Sequence, residues 1–115
     1  MKKYLILAMI VFAQSSFAHE KLESQLLRAV SKNAAVRGAV AHAKKWAGAP
    51  KCEKPYIFSL KGNDFEIIIN CNKPGDPEVA KKEGFDNGAS GQVQIKGSYS
   101  DGLLWLHNIQ FEYAG

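Results

Sequence analysis

Tyr56-Ile57-Phe58-Ser59-Leu60-Lys61-Gly62-Asn63-Asp64-Phe65-Glu66-Ile67-Ile68-Ile69-Asn70-Cys71 is the stretch that decides the fold. On either side of Gly62-Asn63 the large apolar residues recur every second position, the period of a strand with one buried face. A two-residue Gly-Asn turn then sets Lys61 opposite Asp64, Leu60 opposite Phe65, Phe58 opposite Ile67 and Tyr56 opposite Ile69. In that register the large apolar side chains and Cys71 share one face, and Ile57 and Ile68 meet on the other.

A second hairpin follows. Ser100-Asp101-Gly102 reads as a three-residue loop with Gly at the left-handed position. That loop pairs Tyr99 with Leu103, Gly97 with Trp105, Ile95 with His107 and Val93 with Ile109. Trp105 is expected to cover bare Gly97 from the core side, which leaves Leu104 and Leu106 on the outer face. Residues 72–90 join the hairpins. Within them Asp76-Pro77 followed by Gly84 carries the cap, first-turn and stop signals of a short helix.

Upstream, residues 20–47 repeat at helical spacing: Leu22, Leu26, Ala29, Val30, Val36, Val40 and Ala47 fall on one broad face. Gly48-Ala49-Pro50 ends the run. An unbroken helix of that length would span about 40 Å, long for so small a domain. A bend or break is expected near Ser31-Lys32-Asn33 or at Gly38. The predicted class is α+β, an N-terminal helix packed on a four-stranded antiparallel sheet made of two hairpins.

At the start of the chain, Lys2 and Lys3, the apolar run 5–13 and Ser16-Phe17-Ala18 have the three parts of a bacterial export signal. The apolar run is shorter than the roughly 20 residues that cross a bilayer core. The expectation is a signal peptide over 1–18 and a single mature domain over 19–115, periplasmic or secreted, with no membrane span after cleavage. Without Lys2 and Lys3, thirteen basic side chains face eleven acidic ones, a net charge of +2. That balance removes most compositional support for nucleic-acid binding. An oxidising compartment pairs the two cysteines, and Cys52–Cys71 is the one connectivity available.

Two short segments carry resemblances. With the order helix then four strands, Val93-Gln94-Ile95-Lys96-Gly97 resembles the Gln-x-Val-x-Gly hairpin of cystatins, and the order is that of the cystatin-like roll. Val93 stands where the family has Gln, so protease inhibition is not implied. Cys71-Asn72-Lys73-Pro74-Gly75-Asp76 resembles the Cys-Lys-Pro-His-Asp-Cys loop of Ivy-type lysozyme inhibitors. It departs from that loop at Asn72, Gly75 and Pro77. Neither segment assigns a family.

The sequence holds no Gly-x-Ser-x-Gly, no His-Glu-x-x-His and no phosphate-cradling glycine loop. Asp64 and Glu66 read as solvated carboxylates beside a turn. The leading expectation is therefore a non-enzymatic exported binding protein of inhibitor, immunity or envelope-adaptor type, without a cofactor. It would hold a protein partner or a second copy through the outer sheet face and the 72–90 loop, with Ile57, Ile68, Lys73, Phe85, Leu104 and Leu106 as contact residues. A second expectation is copper binding at His19, whose α-amine and imidazole would chelate Cu(II) together once Ala18 is removed, with His42 or His107 as a third ligand. A small hydrolase comes third.

Overall fold

The structure is a computed structural model that describes residues 21–85 and 87–114. The expected signal peptide and His19 lie outside the described residues. Helix α1 occupies residues 21–32, α2 Ala34–Ala47 and α3 Pro77–Glu83. The strands are β1 Tyr56–Lys61, β2 Asp64–Lys73, β3 Ala89–Ser100 and β4 Leu103–Ala114. They form one antiparallel sheet in the order β1-β2-β3-β4, so β1 and β4 are its edges. The α+β class and the helix-before-sheet order agree with the sequence reading.

The long helical run breaks at Asn33, within the segment where a break was expected. Asn33 adopts φ −67° and ψ 131°, and its Oδ1 accepts from the Val36 N–H at 3.1 Å. That cap is worth about 1 kcal/mol to α2. Gly38 sits inside α2 without interrupting it. At the other end the Gly48 and Ala49 N–H groups return to the carbonyls of Lys45 and Lys44, closing the helix in a Schellman turn.

Leu26 and Val30 of α1 and Val36, Ala39, Ala43 and Ala47 of α2 are buried against Phe65, Ile67, Ile69, Cys71, Val93 and Ile95 of the sheet. The alanines let α2 lie close. A Cβ at Gly91 would stand 2.9 Å from the Ala43 carbonyl oxygen, so the bare glycine lets β3 meet the helix backbone. No polar or charged residue is among the described buried residues. Cys52 and Cys71 are bonded, with their Cα atoms 4.1 Å apart. Beside them the Glu53 N–H donates to the Asn70 carbonyl at 2.7 Å, which ties the entry to β1 onto β2.

Both hairpins depart from the expected register. In the first, Gly62 has φ 60° and the pairs Lys61↔Asp64 and Leu60↔Phe65 form as expected. Phe58 is then inserted as a bulge, so Ile57 pairs with Ile67 and Tyr56 with Ile68. One extra residue exchanges the faces beyond it. Ile57 packs against the core cluster, whereas Tyr56 and Phe58 are 44% and 63% exposed.

In the second hairpin the loop has two residues. Asp101 and Gly102 have φ 52° and 75°, the paired left-handed geometry of a type I′ turn. Ser100 therefore pairs with Leu103, Tyr99 with Leu104, Ser98 with Trp105 and Gly97 with Leu106. Leu104 and Leu106 turn inward and pack against the core cluster, which corrects their placement on the outer face. Trp105 turns outward, 49% exposed. The ring that covers Gly97 belongs to Phe65, its partner on β2, whose Cζ lies 2.8 Å from where a Cβ would stand. A second bulge at His107 shifts the register by one more residue, to Lys96↔Asn108 and Ile95↔Ile109.

In the connection between the hairpins none of the described residues 74–85 and 87–88 is buried. Asp76 caps α3 by accepting from the Glu78 N–H, and Gly84 closes it. No residue of α3 is buried, and Phe85 is 57% exposed.

Candidate functional site

Helices cover one face of the sheet, and the middle of the other face, along β3, is polar. Along β3 the outward residues are Ser90, Gln92, Gln94, Lys96, Ser98 and Ser100, the alternates of buried Gly91, Val93, Ile95, Gly97 and Tyr99. Side-chain hydrogen bonds cross this face. Gln92 Nε2 donates to Asn70 Oδ1 at 3.0 Å, and Gln94 Nε2 lies 2.8 Å from Gln92 Oε1 and 3.1 Å from Glu112 Oε2. Amides joined in this way already have their partners, which suits a face turned to water.

Toward the hairpin tips, Ser98 Oγ donates to Asp64 Oδ1 at 2.8 Å and stands 2.9 Å from His107 Nε2. His107 thus lies on the outer face, not beside Ile95 in the core. Ser, His and Asp are the residue types of a hydrolytic triad, but the order differs. A nucleophilic serine needs the histidine between itself and the carboxylate, and here the serine is in the middle. With its proton directed at Asp64, Ser98 accepts from the imidazole instead of being activated by it.

Exposed apolar surface gathers elsewhere. Of the seven exposed large hydrophobic residues among the described residues, Leu103, Trp105 and Phe111 belong to β4, and Trp46 stands next to that strand. Trp46 stacks on Tyr113 with ring centroids 4.3 Å apart, and Phe111 stacks on Tyr113 at 5.8 Å. The His42 ring meets Phe111 edge-on at 5.3 Å. His42 and Trp46 are four residues apart on α2 and share a face; Phe111 and Tyr113 are alternates on β4 and share another. Each pattern is visible in sequence, but their meeting is tertiary.

The Tyr113 hydroxyl is buried without a hydrogen-bond partner. A buried donor left unmade costs about 1–3 kcal/mol. Tyr113→Phe should therefore keep the stack and raise stability by about 1 kcal/mol in a urea melt. A loss of stability would mean that the hydroxyl has a partner in solution.

The six contact residues expected from sequence do not come together. Ile68 faces outward between Tyr56 and Gln94 and is only 6% exposed. Ile57, Leu104 and Leu106 serve the core cluster. Lys73, exposed at the end of β2, runs its stem past Gly48, and Phe85 stands in the connection. Among the described residues no group of three or more His, Cys, Asp or Glu side chains could hold a metal ion. No described helix is long and apolar enough to cross a membrane.

The fold and this surface define the class: a disulfide-bonded α+β domain with an open antiparallel sheet and an aromatic-flanked edge strand. Comparison with protein-family models, curated proteins and solved structures finds no match. None of these comparisons supports the cystatin-like order expected from the sequence.

Proposed function

We propose that this is a non-enzymatic binding protein of the periplasm or extracellular space that engages a protein partner through β4. One observation carries the reading: β4 is a twelve-residue edge strand that bears three of the seven exposed large hydrophobic residues among those described. An edge offers unpaired backbone donors and acceptors, and natural edges are guarded by shortness, lysine, proline or a bulge. The β1 edge has these guards: six residues, Pro55 before it, Lys61 at its end and the Phe58 bulge. β4 has no lysine and no proline, and beyond its bulge it runs seven residues from Asn108 to Ala114 with Glu112 as its one charge. Such an edge accepts an extended segment by strand addition, and flanking aromatics supply specificity. The disulfide supports an oxidising compartment.

This reading moves the interface from the outer face and the 72–90 loop to the adjacent edge, because the leucines that marked the face point inward. Copper binding at His19 remains a proposal without support among the described residues, and the Ser98 arrangement does not favour a hydrolase.

Asn108→Lys with Gln110→Lys tests the interface, since both residues are exposed and β4 otherwise stays intact. The pair should change stability by less than about 1 kcal/mol and weaken partner binding or self-association at least ten-fold. Calorimetry against the purified partner, or sedimentation if the partner is a second copy, reads the effect. Unchanged association would place the interface elsewhere.

A further inference from the structure

On the opposite side of the helical layer from β4 there is a cleft of about 380 Å³. It opens between α2 and the segment that leads into β1. Its floor is Val36 and Ile69, which are 1% and 3% exposed. Val40, Pro55 and the Cys52 end of the disulfide form the walls. The rim carries charge. Arg37 and Lys44, seven residues apart on one face of α2, both line the cleft and are exposed, as does Glu53 across from them. Among the described residues neither cation has an ion-pair partner.

We propose that this cleft binds a fatty-acid-type amphiphile, with the acyl chain against Val40, Ala41 and Pro55 above the buried Val36–Ile69 floor and the carboxylate between Arg37 and Lys44. Pockets that take small ligands are apolar, a few hundred Å³ in volume and fixed by a few placed polar groups. Two cations and one anion leave the rim with a single positive charge, which complements one carboxylate. The Arg37 guanidinium can hold a carboxylate through two parallel hydrogen bonds. Each methylene taken from water adds to the affinity of the chain. A protein segment is less well matched, because no edge strand lines the cleft for it to extend. The site lies away from β4, so it can fail without touching the strand-addition reading, and the reverse.

Calorimetric titration of the purified, disulfide-closed protein with dodecanoate tests the proposal. Saturable one-to-one binding is expected, with none for acetate and at least ten-fold weaker binding for 1-dodecanol. Arg37→Gln with Lys44→Gln should weaken dodecanoate at least ten-fold. Ala41→Trp, at an exposed lining position, should abolish binding while the thermal melt stays unchanged. Absence of saturable binding, or binding indifferent to both variants, would overturn it. So would sedimentation with phosphatidylglycerol vesicles in the absence of dodecanoate binding, since the cations would then be reading a membrane surface.

Discussion

Leu104→Ser with Leu106→Ser lowers the free energy of unfolding by about 3–5 kcal/mol, because both side chains leave the core cluster and strand hydroxyls against it. Both leucines are half-buried on the helical side of the sheet, so each loses less than a fully buried leucine would. The matched change on the alternate residues, Leu103→Ser with Trp105→Ser, should cost less than about 1 kcal/mol. Those two side chains are 58% and 49% exposed. Thermal or urea melts of the two double variants form a pair whose order is unaffected by global calibration. If the Leu103 and Trp105 variant proves the weaker, the Asp101-Gly102 turn is not the two-residue turn described above.

Cys52→Ala with Cys71→Ala should cost about 3 kcal/mol. The bond joins residues 19 apart, and closing a loop of that size removes enough entropy to raise the free energy of the unfolded chain by about this much. The local consequence is larger than the global one. The bond anchors the approach to β1, an edge strand of six residues carrying a bulge, beside fully buried Cys71. Amide exchange in β1 should accelerate more than in β2 or β3. A melt unchanged by the double substitution would show that the Glu53–Asn70 hydrogen bond and the core hold this edge unaided.

The elements were legible because their local signals agree. Gly62-Asn63 lies between two alternating runs, Asp76-Pro77 and Gly84 bracket α3, and Asn33 can cap the helix that follows it. The faces were harder to read, for a physical reason. Ser100-Asp101-Gly102 fits a three-residue loop with glycine in the left-handed region and equally a two-residue turn in which Asp101 joins it there. Aspartate is among the few residues that tolerate that geometry, and choosing the longer loop slips the register by one. That slip exchanged Leu104 and Leu106 with Leu103, Trp105 and His107. The Phe58 bulge did the same to Ile57 and Tyr56, and nothing in an alternating run marks where an extra residue will be absorbed. The candidate interface was hidden for another reason. Trp46 and Tyr113 are 67 positions apart, and their stacking depends on α2 crossing the sheet where Ala43 meets Gly91.

Site-specific photocrosslinking in the native host tests the central claim most directly. A benzoylphenylalanine at Gln110, on the exposed side of the edge strand, should capture one protein of defined mass, or a second copy of this chain. The same probe at Lys32, exposed at the end of α1, should capture none. Capture at Lys32 with nothing at Gln110 would contradict the assignment of β4 as the binding edge.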